Sequence, residues 1–512
     1  MPIPRIAVIG AGVGGLAAAI DLAGSGFEVL LFERAQAPGG KVRQVIIDGR
    51  PLDAGPTVFT LRRLFDELFD DAGDSFESRV RLTPAKLLAR HAWSPEERLD
   101  LFADLEQSAD AIGRFAGARD ARGFLRFAAQ ARRIFGTLER TFIRAARPSP
   151  LDLVRRVGLR QTADLWNIQP FATLWQTLGR YFGDPRLKQL FARYATYCGS
   201  SPFAAPATLM LVAHVEQAGV WYIEGGMQQL AEQLAALAIR KGATLRLGSE
   251  VTRIHVRHGR VEAVQTREGD PIAVEAVVCA ADTNALATGL FGSAVRRGAR
   301  PTAPAARSLS AVTWNLVART QGFELAHHSV FFGRDYRTEF DDIFRRGRLP
   351  SSPTVYVCAQ DRHDTECSAP LCERLLCLIN APAIGDEHSF DPAEIDACKI
   401  RVFEALASFG LTVQAPAEST RSTTPSDFHQ MFPATGGALY GPASHGWMAS
   451  FKRAGSRTIV PGLYLAGGSS HPGPGVPMAA ISGRLAAASI AEDYASISRS
   501  RAAVTPGGTS MR

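Results

Sequence analysis

The chain has 512 residues, of which 46% are hydrophobic and 21% charged, with a net charge of +7. That length is too great for one core and suits two interleaved domains, and the composition is ordinary for a soluble globular enzyme. No apolar run reaches the roughly 18 residues a membrane span needs, so none is expected.

Charge distribution says more than net charge. Residues 111–195 hold sixteen Lys and Arg against five Asp and Glu, an excess larger than that of the whole chain. Two readings stay open: a basic, Phe- and Trp-laced surface facing anionic lipid, or a solvated helical face with its aromatics in the core. No nucleic-acid-binding motif accompanies the charge, so nucleic acid is not an expected partner. The seven cysteines form no Cys-x-x-Cys pair, and their odd number suits reduced thiols in the cytoplasm. A strand pattern begins almost at once, so no cleavable leader is expected.

In chain order, an apolar run at 6–10 predicts a buried strand, 16–23 a helix and 27–32 a second buried strand, the opening of a βαβ unit. From 61 to 147 the pattern reads as mostly helical, broken by Pro148 and Pro150, with more helices to about 215. A helix is predicted over 227–240. Strands follow at 244–247, 250–256, 260–266 and 272–279, with His258-Gly259 as a hairpin turn. Mixed elements occupy 283–455, with strands at 310–317 and 354–359. A strand at 463–467, a helix over 476–494 and a disordered tail over 496–512 complete the reading.

The first strand runs into Gly10-x-Gly12-x-x-Gly15, with Gly14 inside the motif. Gly10 permits the tight turn, Gly12 lets a pyrophosphate approach the backbone, and Gly15 lets helix and strand pack closely. The phosphate sits at a helix N-terminus, where free N–H groups and the helix dipole favour negative charge. Glu33 closes the second strand, where a carboxylate accepts the ribose hydroxyls. FAD and NAD share this fingerprint, and three features favour FAD. The motif opens a long chain. Glu33 is followed by Arg34 and then Gly39-Gly40-Lys41-x-Arg43, which resembles the second glycine pair of two-dinucleotide-binding-domain flavoproteins. Finally, the C-terminal GLYLAGGSSHPGPGVPMAAISG returns a strand and helix. The helix N-terminus near Val476–Met478 is expected to face the flavin pyrimidine edge and stabilise negative charge there. Expected cofactor contacts are thus Gly10, Gly12, Gly14, Gly15, Glu33, Arg34, Gly40, Lys41, Val251, Gly467, Gly468, Pro477 and Met478.

Those C-terminal residues resemble the signature of the bacterial-type phytoene (carotenoid) desaturase family. Gly462, Tyr464, Leu465, Gly467, Gly468, His471, Pro472, Gly473, Gly475, Val476 and Ser482 fall on its pattern. Ser470 stands where Thr or Ala is usual, and Pro474 where a small non-proline residue is usual; both point away from the ordinary phytoene-desaturase subgroup. LDAGPTVFTLRRLFDELFDDAG, WYIEGGMQQLAEQL, HHSVFFGRDYRTEFDDIF and GGALYGPASHGW are similar to the hydroxycarotenoid desaturase branch. The resemblance implies an α/β fold. A Rossmann-like FAD-binding domain (1–75, 221–285 and 456–495) is interleaved with an α+β substrate domain, which comprises a helical membrane and substrate region (76–220) and a sheet-bearing part (286–455).

It also implies an apolar carotenoid substrate, a peripheral position on the inner photosynthetic membrane, and quinone or oxygen as terminal electron acceptor. The expected reaction forms a C3–C4 double bond in an acyclic 1-hydroxycarotenoid such as 1-hydroxyneurosporene. An unactivated C–H is a poor acid, so hydride loss from the allylic C4 is expected first, which makes the C3 proton acidic. A weak base or water suffices for that proton, and no residue stands out as catalytic. His471 reads as a structural hydrogen-bonder, and Glu224 as either an orienter of the flavin loop or a helix-entry carboxylate. Trp314, Phe331, Phe332, Tyr336 and Trp447 are candidates for an apolar tunnel, though most aromatics are core. His327 and His328 are expected on opposite faces of a strand, which argues against a metal. Rival readings are another carotenoid-modifying flavoenzyme, an amine oxidase, a lipid-binding escort of the same fold, and an inactive flavin-binding regulator.

Overall fold

The computed structural model describes residues 3–146, 172–362 and 371–503, with side chains to residue 496. Five parallel strands form the first sheet, in the spatial order Thr244–Arg246, Glu28–Phe32, Arg5–Ile9, Ala276–Cys279, Leu463–Leu465. The three central strands are almost wholly apolar because both faces of the sheet are covered. Helices Val13–Gly24, Gln228–Arg240 and Val476–Ala503 pack on one face. The small sheet of Val251–Arg257, Arg260–Thr266 and Ile272–Ala273 lies on the other. His258 and Gly259 turn its hairpin with φ of 49° and 77°, the pair of positive values that a two-residue type I′ turn requires.

The second sheet has eight strands. Their order is Leu411–Gln414, Ser310–Gly322, Glu373–Ala381, Val355–Ala359, His328–Phe331, Leu87–Ala92 and Arg98–Phe102, and Thr420–Thr423 also pairs with Ser310–Gly322. Helix Pro392–Ser408 covers one face. Asp391 caps it, accepting the Glu394 N–H at 2.8 Å, and Pro392 fills its first turn. Its Ile395, Cys398, Val402 and Leu406 pack on Trp314, Phe331 and Leu375. The opposite face looks onto the cavity described below.

One expectation is incomplete and one needs correction. The stretch from 61 to 147 is mostly helical, as expected, but it also holds the strands Leu87–Ala92 and Arg98–Phe102, the first of which joins the substrate sheet by pairing with His328–Phe331. The tail is not disordered from 496, because the last helix continues to Ala503. Residues 504–512 lie outside the described residues, as do Pro148, Pro150 and much of the basic stretch. In its described part, helix Ala118–Leu138 turns Phe124, Phe127 and Phe135 into the core and leaves Arg119, Arg122, Arg126, Arg132 and Arg133 exposed. The aromatics of this helix belong to the core, and its arginines line the exposed face.

The chain's two ends meet backbone to backbone. A Cβ on Gly483, in the last helix, would lie 2.0 Å from the Gly14 carbonyl oxygen in the first. A Cβ on Gly14 would in turn lie 2.9 Å from the Gly467 nitrogen, and one on Gly15 would lie 1.9 Å from the Gly10 oxygen. Backbone atoms cannot rotate away, so adding one methyl here costs about 1–3 kcal/mol. Gly483→Ala is therefore expected to lower the thermal unfolding midpoint. Gly136→Ala, at an exposed helical site with nothing within 4 Å, should raise it through the gain of up to about 1 kcal/mol in helix propensity. Calorimetry on the two variants checks the opposite signs.

Candidate active site

A cavity of about 1030 Å³ runs from the first glycine motif to the open face of the second sheet. At the nucleotide end, helix Val13–Gly24 begins at Gly12, whose side-chain-free N-cap leaves the first-turn N–H groups without a side-chain partner. Gly10 has φ +99°, which the tight turn demands. Gly12 is different: its φ is −70°, and a Cβ there would meet only the Gly39 oxygen at 3.9 Å. Its missing side chain serves whatever approaches from the cavity.

Glu33 is buried. One carboxylate oxygen accepts the Ala11 N–H at 2.7 Å and the other the Ala35 N–H at 2.8 Å. Each oxygen keeps a lone pair for a ribose hydroxyl. Arg34 donates to the Gln430 and Met431 carbonyls at 2.5 and 2.8 Å. Gly40, at φ +61°, packs on Gly12. Lys41 Nζ donates to the Leu439 carbonyl at 2.5 Å and is pulled below the ordinary lysine pKa by burial. Val251, Gly467, Gly468, Pro477 and Met478 all line the same cavity, the last two in the first turn of the final helix. Of the expected contacts, only Gly15 stands off the cavity; it is spent on packing against Gly10.

Sequence reasoning missed two residues here. Arg453 lines the cavity and donates to the carbonyls of Pro442 (2.7 Å), Tyr440 and Gly468 (both 3.3 Å); burial lowers its pKa to about 10. Half-buried Lys41 and buried Arg453 have no ion-pair partner among the described residues, so a pyrophosphate bound here would supply the negative charge they lack. The second is Asp53, which accepts the Met227 N–H at 2.7 Å and ties the start of helix Gln228–Arg240 to the sheet. Glu224, a candidate for that kind of role, is exposed and pairs with Arg81 at 3.5 Å. These residues fit the adenosine, pyrophosphate and flavin ends of one extended dinucleotide.

The substrate end is apolar along Leu138, Leu209, Leu211 and Val215. Tyr336 and Trp447 line it as expected, but Trp314 and Phe331 lie on the far side of the sheet and Phe332 in a separate core. Glu216, which no sequence signal marked, faces this end. It accepts the hydroxyls of Tyr194 and Tyr197 (the latter at 3.1 Å), and burial raises its pKa. His471 is buried, with Nε2 donating to the Phe142 and Ala145 carbonyls at 3.0 and 2.9 Å, the structural role expected of it.

The opposite-faces argument about His327 and His328 fails. The strand starts only at His328, so alternation does not separate the two rings, whose centroids lie 4.6 Å apart. Their nitrogens and the Cys358 sulfur come within 4.8 Å of one another. Burial holds the Cys358 thiol well above its usual pKa and His328 well below, so both of these groups are neutral, with His328 Nδ1 bonded to the Tyr356 hydroxyl at 2.7 Å.

The profile of the flavin-containing amine oxidoreductases matches residues 13–491. The chain is 53% identical to a hydroxyneurosporene desaturase of Rubrivivax gelatinosus over 99% of its own length and 97% of the relative's. It is 43% identical to one of Cereibacter sphaeroides, over 97% and 99%.

The chain belongs to the flavin-containing amine oxidoreductases and, among them, to the carotenoid desaturases.

A solved putrescine oxidase with putrescine bound shares the fold, with a TM-score of 0.58 at 15% identity over 96% of this chain and 99% of that one. The desaturase is thus an FAD-dependent oxidoreductase, and the glycine cradle is where its cofactor residues converge. Because Gly12 has room for a side chain and an ordinary backbone conformation, Gly12→Val is expected to fold with an unchanged circular dichroism spectrum yet purify without flavin. Flavin absorbance per mole of protein measures this.

Proposed function

We propose that this desaturase introduces the C3–C4 double bond into an acyclic 1-hydroxycarotenoid such as 1-hydroxyneurosporene. The observation that carries the reading is the continuity of the cavity: one space joins the dinucleotide cradle to a long apolar wall. The names of the relatives with 53% and 43% identity support the substrate class. FAD bound in the cradle supplies an acceptor for the hydride that leaves C4.

The chain's own residues do the rest. Leu209, Leu211 and Val215 exclude water and hold a stiff polyene in one orientation. Loss of hydride leaves positive charge spread over the conjugated carbons, which makes the C3 proton acidic. Glu216 is the carboxylate of this wall, and burial makes it a better base than an exposed one. Peripheral membrane association completes the proposal: the exposed arginines of helix Ala118–Leu138 attract anionic lipid from which so apolar a substrate is drawn. No helix among the described residues is long and apolar enough to cross a membrane.

The test is anaerobic incubation of the FAD-loaded enzyme with 1-hydroxyneurosporene, phytoene and lycopene in separate reactions. Flavin colour should bleach with the hydroxylated substrate, whose product should be lighter by two hydrogens and absorb at longer wavelength. Turnover of phytoene or lycopene instead would contradict the proposal.

A further inference from the structure

One band of the substrate wall is polar, and two of its hydroxyls have no partner among the described residues. Thr313, Leu378 and Tyr356 are direct neighbours in register across three strands, so their side chains share the cavity face. The Tyr356 hydroxyl is engaged on both sides, 2.7 Å from Thr57 Oγ1 and 2.7 Å from His328 Nδ1. Arg193 lies over the Tyr356 ring, 5.4 Å from its centroid, and reaches the Tyr197 hydroxyl at 3.3 Å. That hydroxyl donates in turn to Glu216 at 3.1 Å, so Arg193 reaches a carboxylate through Tyr197. Facing the band is Tyr336, at the start of helix Tyr336–Phe344. Its backbone is fixed by the Asp335 cap, which accepts the Thr338 N–H at 3.0 Å. Glu339, on the same helix face, anchors the helix to the sheet. Its carboxylate accepts Thr354 Oγ1 at 2.7 Å and Asn380 Nδ2 at 3.1 Å.

Thr313 Oγ1 and the Tyr336 hydroxyl are both buried, both line the cavity, and neither has a hydrogen-bond partner among the described residues. Two orphaned hydroxyls in an apolar cavity are costly unless a ligand supplies their partner, and the Arg193 guanidinium beside them favours an oxygen there.

We propose that Arg193, Thr313 and Tyr336 form the subsite for the substrate's C1 alcohol. Arg193 and Tyr336 donate to its oxygen, and Thr313 takes its proton. This inference rests on the reading of the reaction given above and names the residues that make the enzyme choose a hydroxylated end group. It also accounts for the position of the new double bond. C1 and C4 are three single bonds apart, roughly 4 Å. The band abuts the cofactor cradle through Thr57, in the loop where Gly55 packs so tightly on Lys41 that a Cβ would lie 1.9 Å from its carbonyl oxygen. An end group anchored here keeps C3 and C4 next to that loop, not the middle of the polyene. A hydrocarbon end would leave both orphaned hydroxyls unserved, and a site built to bond a hydroxyl discriminates strongly against its absence.

The experiment compares kcat/KM for 1-hydroxyneurosporene and for neurosporene, which lacks the hydroxyl, in wild type, Thr313→Val, Tyr336→Phe and Thr313→Ser at equal flavin content. Wild type should prefer the hydroxylated substrate. Thr313→Val and Tyr336→Phe should each lower that preference about tenfold, while Thr313→Ser keeps it. Either of the first two variants alone carries the test if the other does not fold. An unchanged preference in a folded, flavin-loaded variant overturns the subsite and leaves the proposed reaction standing. A wild-type enzyme that handles both substrates equally, or neither, overturns the reaction and the subsite together.

Discussion

The first and last helices of the molecule cross glycine to glycine, and both ends of the chain are held by that crossing. Gly483 sits against the Gly14 carbonyl, Gly14 against Gly467, and Gly15 against Gly10. Through these contacts the strand Leu463–Leu465 closes a sheet begun by Arg5–Ile9, with Ala276–Cys279 between them. The first helix and the last then both present their N-terminal turns to one cavity. Two positive helix ends and two cations, Lys41 and Arg453, define a channel for a long anionic dinucleotide. Much of the chain between these ends is free to build a substrate domain, because the cofactor sheet takes from it only short segments such as Thr244–Arg246 and Ala276–Cys279.

The substrate domain meets a different requirement. Its large sheet must be covered on one face and open on the other. Helix Pro392–Ser408 seals the far face with Ile395, Val402 and Leu406. The near face keeps Thr313, Tyr356 and Leu378 toward the cavity. A greasy substrate then needs little from the protein beyond shape and dryness, and the few polar groups left in that wall carry disproportionate weight in choosing it.

How much was legible in the sequence follows from the range of each interaction. The glycine motif, Glu33 and Gly39-Gly40 are steric requirements within a few residues of each other, so spacing alone revealed them. The cavity positions of Gly467 and Gly468 were legible through the family signature, and that of Met478 through the helix that starts at Val476. Strands Leu87–Ala92 and Arg98–Phe102 were not, because the partner of the first lies at His328–Phe331 and its Arg90 and His91 dilute any apolar alternation. Trp314 and Phe331 were plausible tunnel aromatics, yet a single strand does not reveal which of its faces meets the helix. Arg193, Glu216 and Arg453 are lone charges in unremarkable surroundings; only tertiary structure shows that they face a cavity.

The central claim is that the two ends of the chain grip a single FAD. The most direct measurement is a crystal structure of the full-length protein with FAD bound. The account predicts the ribose hydroxyls on Glu33, the pyrophosphate against the Gly12 backbone, and the flavin beside the first turn of the final helix at Val476–Met478. A flavin bound away from that turn, or a folded protein that takes up no FAD, would contradict it.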